Sequence, residues 1–285
     1  MGSVIPLKNS ANSAYLDLRN LVANKLDKVE DLINLKLESK VNLIQKMTKH
    51  HLNSGGKRLR ALLTLGSAKL AGYDLGGRDI NLASCVELIH SATLLHDDVI
   101  DESNLRRGNK TANSIWGNQS SILTGDYLLS RCFEIMVDDG DLEILKLLSS
   151  TSSKIAQGEV LQLQHKGDAD LLEETYTKII NLKTAALFSA ATKTGACLGK
   201  LNIREKEALA SYGKNLGLAF QIADDALDYF AKEILFGKEV GKDFYEGKTT
   251  LPLIIIFQRA NDEERDFLKE IFKKEKRTED DFSEV

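Results

Sequence analysis

The stretch LLHDDVIDESNLRRG, residues 94–108, decides how the rest of this sequence is interpreted. It places Asp97, Asp98 and Asp101 at the end of an apolar run. On a helix, residues four apart share a face with Cβ atoms about 5–6 Å apart, so Asp97 and Asp101 would lie side by side while Asp98 turns away. Two such carboxylates repel unless a cation lies between them, and Mg²⁺ and Ca²⁺ prefer oxygen ligands. The stretch therefore predicts a divalent metal site.

Two arginines, Arg106 and Arg107, follow these carboxylates. A guanidinium binds carboxylates and phosphates through a rigid fork of donors, so acid and base this close favour a metal-bridged phosphate. The alternative is an acidic, solvated helix end, which a single DDxxD pattern does not exclude.

The fold is predicted from helical periodicity. The chain of 285 residues contains two prolines, and because proline breaks helix interiors, their scarcity favours long helices. The apolar run from Ile80 to Ile100 indicates a central, buried helix that ends in the acidic motif. No strand alternation, hairpin signal or internal repeat is visible. We predict an all-α fold of about ten or more helices, in one domain over residues 1–285.

Composition excludes several classes of protein. A net charge of −4 and a pI near 5.8 disfavour nucleic-acid binding, which usually needs a strongly basic surface. No apolar run approaches the roughly 20 residues that span a bilayer, and no signal peptide is visible. Cys85, Cys132 and Cys197 are far apart, as is typical of buried thiols in a reducing compartment. We expect a cytoplasmic protein.

A basic cluster precedes the central helix. GGKRLR, Gly55–Arg60, places three cations at a helix start, where unpaired N–H groups also attract anions. Cations oppose the helix dipole there, so the cluster indicates a bound anion; a surface basic turn is the alternative.

His90 lies two turns before Asp97 on the same face. A lone histidine in an apolar helix is more often a core residue, but the shared face favours a functional one.

The acidic pattern occurs a second time, in QIADDALDY at 221–229. Asp224 and Asp228 repeat the four-residue spacing, Asp225 lies beside them, and lysines follow in the next loop at Lys238, Lys242 and Lys248. Because protein-bound Mg²⁺ is usually held by one or two carboxylates plus phosphates, two facing pairs could hold several ions around one diphosphate. A third acidic group, 138–141, lacks this spacing and is predicted to be a solvated turn.

Seven segments, in order, resemble the trans-isoprenyl diphosphate synthases, the polyprenyl synthetase family, and most of all its long-chain octaprenyl type. The segments are GGKRLR (55–60), ELIHSATLLHDDVIDESNLRRG (87–108), GDYLLSR (125–131), GEVLQL (158–163), KTAALF (183–188), FQIADDALDY (220–229) and GKEVGKDFYEGKTTLP (237–252). This resemblance implies an isoprenoid-synthase-type helical bundle around a deep central cavity, and a homodimer.

The resemblance also implies roles for individual residues. The Mg²⁺-binding carboxylates would be Asp97, Asp101 and Asp224, supported by Asp98, Asp225 and Asp228. The allylic diphosphate would meet Arg106, Lys183, Thr184, Gln221, Lys238 and Lys248. Isopentenyl diphosphate would lie against Lys57, Arg60, His90 and Arg107. The residues expected to act in catalysis are Asp97, Asp101, Lys183, Asp224 and Lys238.

The implied reaction starts with ionisation of the allylic C–O bond. The double bond of isopentenyl diphosphate attacks the carbocation, and proton loss to the departing diphosphate restores a trans double bond. The product is five carbons longer and can react again, so the chain would make a polyprenyl diphosphate for quinone side chains, released to a membrane.

Product length is a steric question. In short-chain members of the family, bulky aromatic residues lie four or five positions before the first motif, where this chain has Ala92 and Thr93. Thr93 shares the Asp97 face, so small side chains here leave room for a growing tail. Ordinary helix packing is the alternative. We predict a product longer than geranylgeranyl, around octaprenyl.

Two other functions stay open. Small residues at Ala92 and Thr93 disfavour a short-chain farnesyl or geranylgeranyl synthase, and the intact aspartates disfavour a non-catalytic subunit of a heteromeric synthase. Terpene cyclases of related fold usually carry a different second motif. Family chains usually continue for a few dozen residues beyond the position of Val285, so we expect the usual C-terminal helices to be missing.

Overall fold

The computed structural model describes residues 10–74, 76–199, 201–230, 241–274 and 276–285. The helices are α1 Ser10–Lys36, α2 Asn42–Asn53, α3 Leu59–Leu70, α4 Arg78–Ile100, α5 Ala112–Trp116, α6 Asn118–Asp139, α7 Leu142–Gln164, α8 Glu173–Ile180, α9 Ala186–Leu198, α10 Ile203–Phe230, α11 Lys242–Glu246, α12 Leu251–Arg259, α13 Asp262–Lys273 and α14 Glu279–Glu284. A π-helical turn, Asn181–Ala185, joins α8 to α9. Two short strands, β1 Leu105–Arg106 and β2 Asn109–Lys110, lie between α4 and α5. The prediction of an all-α fold is confirmed.

Helix α4 is the centre of the main core, with α1, α3, α6 and α9 packed against it. Leu82, Ala83 and Leu88 point to different sides of this helix and none has any exposed surface. Burial of one leucine side chain stabilises the fold by roughly 1.5–3 kcal/mol, so a helix that is apolar on all sides is stable only inside the protein. The first aspartate motif therefore extends from a rigidly held helix.

The loop after α4 forms a tight antiparallel hairpin, which we did not predict from the sequence. Its strands β1 and β2 are joined by Arg107 and Gly108, with φ angles of +53° and +78°. Positive φ at both central residues is typical of a type I′ turn, whose twist matches that of the paired strands. The hairpin lets Arg106 reach back to α4.

The π-helical turn interrupts the otherwise α-helical stretch from α8 to α9. Gly158 of α7 lies against this turn, and a Cβ atom at this position would come within 2.7 Å of the backbone nitrogen of Lys183. Only glycine allows this approach. Because π-helical turns inside α-helices are frequent at functional sites, the interruption supports a functional role for Lys183.

The acidic group at 138–141 is not a simple solvated turn, and that prediction was wrong. Arg78 donates to both carboxylate oxygens of Asp139 at 2.8 Å and to Asp141 at 3.1 Å. The Asp139 side chain is 1% exposed, and Asp141 accepts hydrogen bonds from two N–H groups that open α7. The ion pairs join α4, α6 and α7 at the end of the bundle far from the aspartate motifs.

A smaller aromatic core supports the end of α10. Phe244 of α11 packs with Phe257 of α12 and Phe272 of α13, and Tyr229 of α10 borders the cluster. This core holds α11 through Phe244. Among the described residues, no helix combines the length and apolarity needed to cross a membrane.

Candidate active site

The first aspartate motif occupies the last turn of α4. Asp97 and Asp101 are half-buried, and Asp98 on the other face is 2% exposed. Asp98 Oδ1 accepts hydrogen bonds from Arg106 Nε at 2.9 Å and Nη2 at 2.8 Å. Asp98 therefore fixes Arg106 beside the other two carboxylates.

The pKa values of Asp97 and Asp101 are shifted in opposite directions. For Asp97, burial raises the pKa to about 6, although Lys183 opposes the shift. For Asp101, burial would raise the pKa, but the charges of Lys248 and Lys183 bring it below its ordinary value. Both lysines thus act on the first motif, although they are far from it in sequence.

The second motif lies near the end of α10, where a chain of hydrogen bonds fixes its surroundings. Thr184 Oγ1 donates to Gln221 Oε1 at 2.7 Å, and Gln221 Nε2 donates to Asp225 Oδ1 at 2.7 Å. The Tyr176 hydroxyl donates to Asp225 Oδ2 at 2.6 Å. Asp225 is 4% exposed, whereas Asp224 is exposed. Asp225 therefore orients its neighbours, and Tyr176, which we did not identify from the sequence, completes the chain.

Asp228 joins the second motif to the following segment. Its Oδ2 accepts a hydrogen bond from the Asp243 N–H at 2.9 Å, and its carbonyl oxygen accepts one from the Gly241 N–H at 2.8 Å. Burial and the Asp228 carboxylate raise the pKa of Asp243 to about 8. Asp243 is a further carboxylate near the second motif. We did not select it from the sequence, because it lies outside any DDxxD pattern.

Lys248 connects the end of α11 to the first motif. Its Nζ lies 2.9 Å from Asp101 Oδ1 and 2.7 Å from Glu246 Oε2. Burial alone would lower the pKa of Lys248, but these two carboxylates raise it. The chain is held on both sides of this lysine, since the Gly167 N–H donates to the Gly247 carbonyl at 2.8 Å and Thr249 Oγ1 donates to the Asp168 carbonyl at 2.8 Å. The connection between α7 and α8 therefore positions Lys248.

Lys183 lies in the π-helical turn and pairs with Glu159 of α7, Nζ to Oε2, at 2.5 Å. Its backbone packs against Gly158 of the same helix. Helix α7 thus fixes both the backbone and the ammonium group of this lysine. Glu159 lies within one of the segments that resemble the family, but its role as a partner of Lys183 was not visible in the sequence.

A separate basic cluster lies between α3 and α4. Arg60 Nη1 donates to His90 Nε2 at 3.1 Å, and its guanidinium lies 4.6 Å from the centre of the Phe188 ring. Burial and the charge of Arg60 lower the pKa of His90 well below its ordinary value, so the imidazole is neutral. Arg107 donates to the Gly55 carbonyl oxygen, while Lys57 is exposed. Of the residues predicted to bind isopentenyl diphosphate, Arg60 and His90 are thus in contact, and Arg107 reaches the backbone of the GGKRLR segment.

A cavity of about 90 Å³ lies beside the second motif. The predicted residues that line it are Lys183, Thr184, Gln221, Asp225 and Lys248. Its remaining polar wall includes Gln162, His165, Tyr176, Asp243 and Thr249. Lys238 lies outside the described residues.

The carboxylates suit metal ions that are held together with a ligand. In the described part of the chain, no three acidic, histidine or cysteine side chains are close enough to hold a metal by themselves. Mg²⁺ is usually bound by one or two carboxylates and by the phosphates of a substrate. The all-oxygen donor set of Asp97, Asp101 and Asp224 fits this mode of binding.

The two residues predicted to control product length have different surroundings. Ala92 is completely buried in the main core. Thr93 is half-buried on the helix face of His90 and Asp97, and its hydroxyl donates to the His90 carbonyl at 2.8 Å. A larger side chain at Thr93 would therefore reduce the space for a growing tail more than a larger side chain at Ala92.

Comparison with known proteins gives consistent matches. The family model for polyprenyl synthetases matches residues 41–285. The chain is 40% identical over 252 residues to octaprenyl diphosphate synthase of Escherichia coli (strain K12), covering 88% of this chain and 78% of that protein. It is 42% identical over 258 residues to the all-trans-nonaprenyl-diphosphate synthase (geranyl-diphosphate specific) of Rhodobacter capsulatus, covering 89% of this chain and 78% of that protein.

The fold is also similar to solved structures. Superposition on the crystal structure of a polyprenyl synthase from Caulobacter crescentus CB15, complexed with calcium and isoprenyl diphosphate, gives a TM-score of 0.90 with 44% sequence identity. The match covers 94% of this chain and 82% of that one.

Proposed function

Because the chain belongs to the polyprenyl synthetase family, we propose that it condenses isopentenyl diphosphate with an allylic diphosphate into a long-chain, all-trans polyprenyl diphosphate of about octaprenyl length. The ion pair between Lys248 and Asp101 carries the proposal. It brings the segment that follows the second motif onto the carboxylates of the first. Similarity to octaprenyl and nonaprenyl synthases supports the long product, and quinone side chains are its proposed use.

The allylic diphosphate would lie between the two aspartate motifs. Lys183 and Lys248 provide fixed positive charge for the diphosphate as the C–O bond breaks, with Arg106 beside them. Donors fixed in advance stabilise a developing anion without reorganisation in the transition state. Thr184 and Gln221 keep the wall of this site in one arrangement through their hydrogen bonds.

We propose that Mg²⁺ is held by Asp97, Asp101 and Asp224, with Asp98, Asp225 and Asp228 in support. When bound, the ions would supply further positive charge to the departing diphosphate. Asp98 and Asp225 support the site through Arg106, Gln221 and Tyr176, to which they are hydrogen-bonded.

The basic cluster would hold isopentenyl diphosphate. Lys57, Arg60 and Arg107 would bind its diphosphate, and the neutral His90 orients Arg60. With both substrates bound, the isopentenyl double bond attacks the allylic carbocation. The departing diphosphate takes the proton, and the elongated product reacts again.

A product assay tests the proposal. The protein is incubated with Mg²⁺, farnesyl diphosphate and radiolabelled isopentenyl diphosphate, and the products are sized after dephosphorylation. We expect products longer than twenty carbons, and a loss of at least about 100-fold in kcat for Asp101→Asn but not for the exposed Asp138→Asn. Products that stop at fifteen or twenty carbons would indicate a short-chain synthase, and no product would indicate a non-catalytic subunit.

We also propose that the protein is a homodimer that pairs through α6. Leu123, Phe133 and Val137 have exposed fractions of 66%, 46% and 66% and lie along one side of this helix. An apolar surface of this kind marks an interaction site. Sedimentation equilibrium should give twice the chain mass for the wild type and the mass of one chain for a Leu123→Glu, Phe133→Glu double variant.

A further inference from the structure

The helix that carries the basic cluster starts without a cap of its own. Arg58 is the N-cap residue of α3, and no side chain of the α3 N-terminus accepts a hydrogen bond from the exposed N–H groups. Its φ angle of +47° is uncommon for a residue with a side chain. Lys57 and Arg60 add two more cations beside the positive end of the helix dipole. The helix start therefore needs a partner from elsewhere in the protein.

Glu87 of α4 is this partner. Its Oε1 accepts a hydrogen bond from the Ala61 N–H, in the first turn of α3, at 3.0 Å. Its Oε2 lies 3.8 Å from Arg58 Nη1, and the Glu87 side chain is only 3% exposed. A carboxylate at this depth persists only when it is paired and hydrogen-bonded. Glu87 thus caps α3 from another helix and neutralises one of its cations.

Arg58 connects the start of α3 to three other helices. Besides Glu87, it contacts Glu30 of α1 at 3.5 Å and donates to the Leu52 carbonyl of α2 at 3.5 Å. These contacts fix the guanidinium between α1, α2 and α4, and its side chain is 14% exposed. One cation of GGKRLR is therefore used to fix the segment, which leaves Lys57 and Arg60 to bind an anion.

Glu87 also moderates repulsion within the basic cluster. Burial and the nearby Arg107 lower the pKa of Arg60 to about 10, and the charge of Glu87 opposes this shift. Arg60 donates to the neutral His90, whereas the charge of the Glu87 carboxylate favours its guanidinium. Without this carboxylate, the arginines would repel each other before a substrate arrives.

We propose that Glu87 is a positioning residue for isopentenyl diphosphate. It holds the start of α3 so that Lys57 and Arg60 meet the diphosphate in a fixed geometry, while it does not touch the substrate itself. The inference rests on the proposed function, because it assigns the basic cluster to isopentenyl diphosphate. It predicts an effect on this substrate alone, since no residue of the proposed allylic site lies on α3.

Titration calorimetry with isopentenyl diphosphate and Mg²⁺ tests the inference on the wild type and on Glu87→Ala, Glu87→Gln and Glu87→Asp. We expect Kd to rise about tenfold or more in Glu87→Ala, which loses both the hydrogen bond and the charge. Glu87→Gln should show a smaller rise, because its amide oxygen can still accept from Ala61. In steady-state kinetics, KM for the allylic substrate should stay within about twofold.

Asp79→Asn is the matched control. Asp79 is another buried carboxylate of α4, paired with Lys25 at 2.7 Å, but it lies in the first turn of the helix, about 12 Å along the axis from Glu87. Its variant should lose stability without any change in Kd for isopentenyl diphosphate. Circular dichroism checks that each variant is folded. If Glu87→Ala does not fold, the Kd of Glu87→Asp for isopentenyl diphosphate tests the inference instead. The shorter side chain of this variant keeps the charge but no longer reaches the Ala61 N–H, so its Kd should also rise.

Three results would overturn the inference: an unchanged Kd in the folded variants, an equal loss of affinity for both substrates, or the same rise in Kd for Asp79→Asn. A wild-type chain that does not bind isopentenyl diphosphate would also overturn it. A wild-type chain that binds isopentenyl diphosphate but makes no prenyl product would instead refute the proposed function.

Discussion

The contact between Gly158 and the π-helical turn gives a sharp prediction about Lys183. A Cβ atom on Gly158 would lie 2.7 Å from the Lys183 backbone nitrogen, whereas ordinary contacts begin near 3.4 Å. In Gly158→Ala the turn and α7 must therefore separate by about 0.7 Å, the difference between these distances. The ammonium group of Lys183, paired with Glu159 on the same helix, would shift with the turn.

The expected loss of catalysis is clearly measurable, while the expected loss of stability is small enough for the variant to fold. Overpacking costs about 1–3 kcal/mol, and the better helix propensity of alanine offsets about 0.5–1 kcal/mol of this. A displacement near 1 Å of a positioned group can cost about 100-fold in rate, so we expect kcat to fall about 10- to 100-fold. The variant should remain folded while the ionisation step is impaired.

The assay is steady-state kinetics with both diphosphates, alongside urea denaturation. Gly195→Ala is the matched control, because its Cβ atom would lie 2.4 Å from the Thr64 carbonyl oxygen, a contact between α9 and α3. This variant should lose as much stability or more and keep its kcat. A folded Gly158→Ala with wild-type kinetics, or an equal kinetic loss in Gly195→Ala, would refute the argument.

Three further predictions concern product length, Lys248 and the pH dependence of stability. Thr93→Phe should shorten the products to fifteen or twenty carbons, whereas Ala92→Phe should mainly lower the free energy of unfolding, by about 1–3 kcal/mol, because it overpacks a fully buried site; unchanged products from both variants would contradict the predicted control of product length. Thr249→Val should raise KM for the allylic substrate about three- to tenfold by releasing the segment around Lys248, and Thr249→Ser should restore it; equal KM values would argue against this role. Asp141→Ala should cost about 1 kcal/mol at neutral pH. Burial alone would raise the pKa of Asp141, but helix N–H groups and Arg78 bring it below 3.8. The difference in stability, measured by urea denaturation, should therefore be full well above pH 3.8 and diminish as the pH falls through the folded-state pKa.

Local patterns in the sequence were sufficient for the helices and for the carboxylate pairs. Helical periodicity depends on residues three and four positions apart, so it predicted the apolar α4 and the shared face of Asp97 and Asp101. The repeated DDxxD pattern predicted a second carboxylate group in the same way. These features follow from the geometry of a single helix and need no knowledge of its neighbours.

The hairpin was not predicted because its strands are only two residues long and its turn begins with an arginine. Asp139 was assigned to solvent because its partner Arg78 lies 61 positions away. Acidic residues close together in sequence look alike whether they bind a metal, an arginine or water. Their partners decide between these cases, and the partners are distant along the chain.

Sequence alone thus determined that this protein is helical, that it carries two acidic motifs and that basic residues accompany them. Tertiary structure decided how these groups act together: Tyr176 reaches Asp225 across 49 positions, Lys248 meets Asp101, and Glu87 caps α3. The physical reason is that a helix sets the spacing of its own side chains over a few residues. The strength of an ion pair and the direction of a pKa shift, by contrast, depend on burial and on charged partners. Only the packing of several helices brings these partners within 3–4 Å, as is general for buried ion pairs.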